Sequence, residues 1–247
     1  MRASAFLVLV SLSLYSLSQE KKKREYGDGF EYRRPGIFRL YTGLVAPDEN
    51  SAPKFDRLNT AVFWNSWMGE TNNTKTAFYA IGHDLNLMFD LPFGKRSPVG
   101  IGIGLGYSHF CIRNNGEFSF NSSPFGEYSS LAVYTGPKRW INRTVFNFVD
   151  VPFEIRFRGL RERKKFKFYP GFKFSIMVED FSKWRIQDKE FKEFNFPDLN
   201  RIHYGPSLRI GLDNVMLWAY YDLAPVFKNE NSSQLNLFGA GISIGWF

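Results

Sequence analysis

Eight segments of the sequence alternate between bulky apolar side chains and small or polar ones, and this alternation limits the fold more than any other feature. Successive side chains of a β-strand leave opposite faces, so a period of two residues predicts strands. In the last segment one face carries Phe238, Ala240, Ile242, Ile244 and Trp246, and the other carries glycine and serine. The eight predicted strands span residues 58–69, 77–91, 98–112, 144–158, 165–178, 201–213, 215–228 and 235–247.

The connections between these segments alternate in length. Short connections lie at 93–97, 159–164 and 213–214, and two much longer ones lie at 113–143 and 179–200. Most segments exceed the roughly 9–11 residues that a tilted strand needs to cross a bilayer. Outer-membrane barrels have short periplasmic turns and longer external loops, whereas a soluble β-sandwich has no reason to sort its loops this way. The pattern favours the barrel over the sandwich and predicts short turns on the periplasmic side.

One face of each predicted strand is apolar, while the opposite face of several strands carries charges of both signs. A Lys or Arg that faces lipid near the midplane costs about 2–4 kcal/mol, so the charged faces are predicted to point inward. The apolar outward set extends as far as Phe227. The predicted charge network inside the barrel contains Asp84, Asp90, Glu154, Arg156, Arg158, Lys173, Arg209 and Asp222.

This network is expected to be structural rather than a path for protons or substrate, because each acid has cations nearby. The glycines of the third segment, Gly100 to Gly106, are expected to make room for the bulky charged face of the fourth. An eight-stranded barrel is only wide enough for side chains to fill. No open pore is therefore predicted.

The first residues have the pattern of a secretory signal. Arg2 precedes an apolar run from Ala5 to Leu17, and small residues follow at the expected cleavage position. The predicted signal peptide spans residues 1–18, and residues 19–57 are predicted to be a periplasmic lead-in. The basic run Lys21–Arg24 leaves an uncleaved anchor as an alternative.

Composition agrees with strands rather than apolar helices. The aromatic share is 18%, yet the mean hydropathy is −0.29, as expected when only every second residue faces lipid. The net charge of +8 is not accompanied by a nucleic-acid-binding motif. The expected partners of the excess Lys and Arg are outer-membrane lipid head groups and the phosphates of lipopolysaccharide, and nucleic acid is not an expected partner.

The predicted external loop 179–200 interleaves aromatic with basic side chains, which suits an interface with lipid head groups or with another outer-membrane or periplasmic protein. The predicted interface residues are Phe181, Trp184, Arg185, Phe191, Phe194 and Phe196.

Side chains for catalysis or metal binding are not grouped in the sequence. The three histidines, His83, His109 and His203, lie on different predicted strands without ligand spacing. No Ser/His/Asp grouping can be assigned, and the single Cys111 excludes an internal disulfide. We therefore expect no enzyme activity, no metal and no cofactor.

Four short motifs resemble one protein family. These are Phe55–Trp67, Leu85–Pro92, Phe148–Ile155 and Tyr221–Lys228, and they resemble strands of the PorT-like outer-membrane β-barrel proteins of Bacteroidota. Asp150 departs from the family motif, which usually has Glu there. The resemblance implies a barrel in the outer membrane, and the family's namesake is needed for protein export by the type IX secretion system.

These observations predict an all-β protein with a single eight-stranded antiparallel transmembrane β-barrel of the outer-membrane type at residues 58–247. Its N-terminus is expected in the periplasm of a bacterium. The expected role is a non-enzymatic accessory or partner subunit of an outer-membrane assembly. The alternative is a small channel or ligand-binding barrel. A membrane enzyme has only the inward acids in its favour.

Overall fold

The computed structural model describes residues 57–93, 98–123, 126–159, 166–194, 196, 198–212 and 214–246. The predicted signal peptide 1–18 and, except for Arg57, the predicted lead-in 19–57 lie outside this part of the chain. The described residues form eleven strands. These are β1 (Leu58–Gly69), β2 (Ile81–Pro92), β3 (Val99–Arg113), β4 (Gly116–Ser123), β5 (Gly126–Val133), β6 (Arg139–Arg158), β7 (Phe166–Ile186), β8 (Lys189–Phe194), β9 (Ile202–Leu212), β10 (Val215–Tyr221) and β11 (Leu235–Trp246).

Eight of these strands close into one antiparallel barrel, in the order β1-β2-β3-β6-β7-β9-β10-β11 and back to β1. The last strand pairs with the first along its full length, from Leu58 opposite Trp246 to Gly69 opposite Leu235. The predicted eight-stranded antiparallel barrel is thus confirmed. We call the end near Leu58 and Trp246 the inner end, and the end near Gly69 and Leu235 the outer end.

The two long predicted loops are largely strand, which corrects the sequence analysis. Strand β6 begins at Arg139 and β7 runs to Ile186, so both extend beyond the predicted segments. Residues 113–143 also contain the β4–β5 hairpin, and residues 179–200 contain β8, which pairs with β7. We call the part of the sheet formed by β4, β5, β8 and the outer parts of β6 and β7 the outer extension.

The outward face of the barrel carries a continuous set of exposed apolar side chains, which we call the apolar belt. It includes Val62, Leu85, Leu87, Phe89, Ile103, Leu105, Val149, Val151, Phe153, Ile155, Phe174, Ile176, Ile202, Leu208, Leu217 and Ile242. Along these strands exposure alternates residue by residue, as in Asp150–Arg158, because the pleat sends every second side chain inward.

The outward assignment of Phe227 is wrong. Strand β10 ends at Tyr221, and the following segment folds over the outer end, where Phe227 is fully buried. Pro225 lacks a backbone N–H, so it cannot donate to a sheet ladder. The backbone instead folds back, with Val226 N–H donating to Leu235 O at 2.8 Å and Lys228 N–H to Asp198 O at 2.8 Å.

Aromatic and aliphatic side chains fill the outer half of the barrel. Phe63 packs against Phe110 and Trp218 with ring centroids 4.9 and 4.5 Å apart, and Trp67 packs edge-on against Phe118 and Phe146. This cluster continues into the segments that cover the outer end. These contacting side chains fill the outer half of the barrel.

Asp198 ties the covering segments together. Its carboxylate accepts hydrogen bonds from the hydroxyls of Ser129 and Ser232, and the Ser232 hydroxyl accepts one from Ser129 N–H at 2.9 Å. The backbone of β5 is bonded in addition to Ser233. Three segments that are distant in sequence are thereby joined over the barrel end.

Candidate functional site

The inner half of the barrel contains a buried network of ion pairs. Arg158 contacts Asp90 at 2.5 Å, and its Nε donates to the hydroxyl of Tyr169 at 3.0 Å. Arg156 lies between Asp90 and Glu154, at 3.7 and 3.1 Å, and Arg209 Nε donates to Glu154 at 2.8 Å. Each of the charged side chains is at least nine-tenths buried. Charges removed from water are tolerable only when paired in this way.

Glycine in β3 leaves the space that Arg156 occupies. A Cβ atom on Gly102 would lie 2.6 Å from Arg156 Nε and 2.9 Å from its Cζ. The Cα atoms of Gly102 and Glu154 are paired across β3 and β6, so the small face of one strand lies against the charged face of the next. The predicted match between glycines and bulky charged residues is therefore seen in the packing.

Lys173 lies at the centre of the interior, where the charged half meets the aromatic half. Its Nζ atom is 3.3 Å from both Asp84 and Asp150 and 3.4 Å from Ser108 Oγ. The ammonium group also lies 4.4 Å from the centre of the Tyr220 ring, a distance suited to cation–π attraction. The buried ammonium group of Lys173 thus contacts two carboxylates and one aromatic ring.

Asp222 lies apart from these cations. Its carboxylate is 2.6 Å from His203 Nδ1, and His203 Nε2 is 2.9 Å from the carbonyl oxygen of Asn200. Both side chains are buried in the outer half, and Asp222 also accepts from Ala224 N–H. This pair holds the start of the 222–234 segment against the inside wall.

The structure brings most of the predicted network together. Asp90, Glu154, Arg156, Arg158 and Arg209 form one connected group, and Asp84 contacts Lys173 in the layer above. Asp222 is inside but contacts His203 instead of a Lys or Arg. Alternation also places Asp150, Tyr169 and His203 on the inward faces, but the predicted network did not include them.

The charged groups of the interior are joined to one another by ion pairs and hydrogen bonds. In the described residues no group of three or more His, Cys, Asp and Glu side chains could hold a metal ion. The hydroxyls of Ser129 and Ser232 both donate to the Asp198 carboxylate, and in the described part of the chain neither hydroxyl is hydrogen-bonded to a histidine. The interior is filled by paired charges and rings, in keeping with the expected closed lumen.

Two of the three histidines are neighbours, which the sequence spacing did not reveal. His83 and His109 are paired directly across β2 and β3, with stacked rings 4.8 Å apart. His109 Nδ1 is 2.6 Å from Asn147 Oδ1, and Asn147 donates to Glu179 at 2.7 Å. These side chains form a polar row above the apolar belt on the outward face.

The predicted interface residues lie on strands rather than on a loop, and they do not share one surface. Phe181, Trp184 and Arg185 belong to β7, and Phe191 and Phe194 belong to β8. Trp184 stacks on Phe191 with centroids 5.9 Å apart, and Phe181 lies 6.0 Å from Phe194 across the same strand pair.

Phe196 differs from the others because it is 4% exposed and packs against Phe118 and Phe120 inside the outer extension. It is a core residue and cannot contact a partner. Sequence alternation could not place it, because it follows the end of β8.

Arg139 lies in a small cleft between the β4–β5 hairpin and strands β6 and β7. Its guanidinium stacks 3.6 Å from the Tyr134 ring centre and contacts Glu117 at 2.5 Å. Thr144, Ser182 and Trp184 also line the cleft. The cleft therefore joins the two hairpins of the outer extension through one stacked arginine.

Glu190 in β8 lies outside the barrel wall and is exposed. Hydrogen bonds from Lys183 and Arg185, with N···O distances of 2.8 and 2.7 Å, lower the pKa of its carboxyl group. A lowered folded-state pKa adds stability above the ordinary carboxyl range, and this contribution is lost as the pH falls through the lowered value.

The fold and interior together define a closed eight-stranded antiparallel β-barrel with a paired-charge inner half and an aromatic outer half. Comparison of the sequence with protein families and with curated proteins finds no match. Among the residues described here, no helix is long and apolar enough to cross a membrane.

Proposed function

We propose that the chain is an integral outer-membrane β-barrel that acts as a non-enzymatic partner subunit of an outer-membrane assembly. The observation that carries this proposal is the apolar belt, which surrounds a barrel whose charges are inside. Soluble monomers rarely expose contiguous apolar patches larger than a few hundred Å². A lipid environment accounts for exposed Phe, Leu and Ile on every wall of the barrel.

The height of the belt agrees with a bilayer. Strand β9 is exposed and apolar at both ends, at Ile202 and Leu212. The roughly ten steps from Ile202 to Leu212, each rising about 3.4 Å along a strand tilted by roughly 40°, span about 26 Å. This is close to the apolar band of about 25 Å in outer-membrane barrels.

A partner role is supported by the outer extension, because it rises beyond the belt and is not needed to close the barrel. Exposed Phe194 there lies 4.2 Å from Lys192 Nζ, and exposed Phe191 stacks on Trp184, a composition that suits contact with protein or head groups. The filled interior argues against the alternative of a channel or ligand-binding barrel.

The finer proposal is that the assembly belongs to type IX protein secretion in Bacteroidota, with the N-terminus in the periplasm. It is supported by the resemblance of four strand motifs to PorT-like proteins. The short connection at Asn214 lies at the inner end, where the first strand begins, which supports a periplasmic inner end.

The test is chemical crosslinking in native membranes followed by purification of the full chain. We expect one partner protein in a fixed ratio. Substitution of the stacked pair, Trp184→Ala with Phe191→Ala, should reduce its recovery at least fivefold, because it removes the aromatic surface of the outer extension.

Phe93→Ala is the matched control, since Phe93 is an exposed aromatic residue at the inner end. Both variants should keep heat-modifiable migration on a gel, which reports the folded barrel. Recovery of only free monomer from wild-type membranes, or equal loss of the partner in both variants, would contradict the proposed role.

A further inference from the structure

Four basic residues stand side by side across four neighbouring strands on the outward face. Arg113 of β3 is paired with Arg143 of β6, Arg143 with Lys183 of β7, and Lys183 with Lys192 of β8. We call these four residues the basic row. Paired residues share one face of a sheet, and like charges directly opposite each other are destabilising. A row of this kind calls for a counter-charge.

The protein supplies little of that counter-charge. Glu190 contacts Lys183, but no ion pair joins Arg113 or Arg143 to an acid of the described part of the chain. Both arginine side chains are half-buried and occupy directly paired positions of the sheet. Two guanidinium groups side by side fit the oxygens of a phosphate group.

The position and length of the row suggest which kind of phosphate it binds. The ring of exposed Tyr79 lies 5.3 Å from Arg113 Cζ, so the row lies at the outer border of the exposed apolar surface, where lipid head groups lie. Neighbouring strands are about 4.8 Å apart, so the four paired side chains extend over about 14 Å, which is room for more than one phosphate. This length favours a head group with more than one phosphate over that of an ordinary glycerophospholipid.

We propose that the basic row binds a phosphate on the sugar head group of an outer-leaflet glycolipid, whose acyl chains lie along the apolar belt. The polar row of His109, Asn147 and Glu179 lies between the belt and the basic row. This inference rests on the proposed outer-membrane location.

The probe is a deep-rough lipopolysaccharide, added to the purified full chain in detergent micelles and counted by native mass spectrometry. The variant Arg113→Gln/Arg143→Gln/Lys183→Gln should bind it at least tenfold more weakly than wild type. The matched control Lys75→Gln/Lys138→Gln/Lys228→Gln also removes three positive charges, from exposed lysines that do not belong to the basic row. It should change binding less than twofold. Raised salt should weaken wild-type binding, because the contact is between charges.

Three further probes identify the source of the phosphate. The same lipopolysaccharide without its phosphates and phosphatidylglycerol should each bind at least tenfold more weakly, and millimolar inorganic phosphate should not compete. Equal loss in both triple variants, or equal binding of phosphatidylglycerol or free phosphate, would overturn the inference. Protease protection in vesicles tests membrane insertion separately, so a barrel that inserts but fails to bind contradicts only the glycolipid site.

Discussion

At the scale of single residues, Lys173 has the largest consequence for the interior. It is the cation between Asp84 and Asp150, and it lies where polar and aromatic layers meet. Removal of one partner from a buried ion pair leaves an uncompensated charge, which costs far more than loss of the whole pair. The loss of stability caused by removing the charge of Lys173 should therefore be measurable separately from the loss caused by changing its volume.

We expect Lys173→Met to lower the free energy of unfolding by about 3–5 kcal/mol, because two buried carboxylates lose their cation. The measurement is urea unfolding of the barrel in micelles, followed by tryptophan fluorescence. Lys189→Met on the exposed strand β8 is the control and should change stability by less than about 0.5 kcal/mol.

The variant Lys173→Met/Asp84→Asn/Asp150→Asn tests the cause. It removes the stranded charges and should be more stable than Lys173→Met alone. If both variants lose the same stability, the effect comes from packing around the side chain rather than from charge.

At this scale the sequence identified the inward charges correctly but could not assign their partners. The period of two places Asp222 inside together with Lys173 and Arg209, yet depth along the barrel separates them. Depth depends on the register between strands, which a single strand's pattern does not specify.

At the scale of elements, the glycine face of β3 is as important as any bulky residue. Gly102 leaves room for Arg156, whose guanidinium is held by Glu154 and lies near Asp90. A side chain added at Gly102 would contact the Arg156 guanidinium, which cannot move without breaking its ion pair with Glu154.

We expect Gly102→Ala to destabilise the barrel by about 1–3 kcal/mol, the usual cost of overpacking. Gly159→Ala is the matched control, because a Cβ atom there has only ordinary contacts at 3.4 Å or more. Unfolding midpoints of the two purified variants give the comparison. Equal midpoints would show that Arg156 can relax at no cost.

The extents of β6 and β7 were the main error at the element scale. Polar composition and length predicted loops, but the strands continue because the outer extension offers them partners. Arg139 pairs with Ile186 at the far end of this ladder, and β8 covers the free edge of β7. An unpaired strand edge is unfavourable, so whether a polar stretch becomes a strand depends on what lies beside it.

At the scale of the whole molecule, the barrel separates an inner end with tight connections from an outer end with a folded extension. This asymmetry leads to a definite expectation for the proposed outer-membrane location. Asn214 lies in the turn between β9 and β10, and Asn231 lies in the segment before β11, both exposed.

We expect a membrane-impermeant maleimide to label Asn231→Cys in intact cells, and Asn214→Cys only after the outer membrane has been permeabilised. The unsubstituted chain is the control, because its single Cys111 is 5% exposed and should stay unlabelled. If only Asn214→Cys is labelled in intact cells, the barrel has the opposite orientation. If neither cysteine is labelled in intact cells, the result contradicts an outer-membrane location.

The sequence by itself determined the number of barrel strands, the closing strand and the division into apolar and charged faces. These follow from local alternation, since the sequence of each strand shows which of its side chains point outward. Closure of the last strand on the first was predicted from the alternating pattern of residues 235–247, and β11 pairs with β1 along its full length.

Only the tertiary structure decided which residues meet. In the structure His83 stacks on His109, and Phe196 and Phe227 are buried core residues. The basic residues Arg113, Arg143, Lys183 and Lys192 lie in one row. Each of these contacts joins different strands or segments, and their register is set by the closure of the whole barrel. Alternation within a strand fixes the face of a side chain, while the neighbours on that face depend on every other strand.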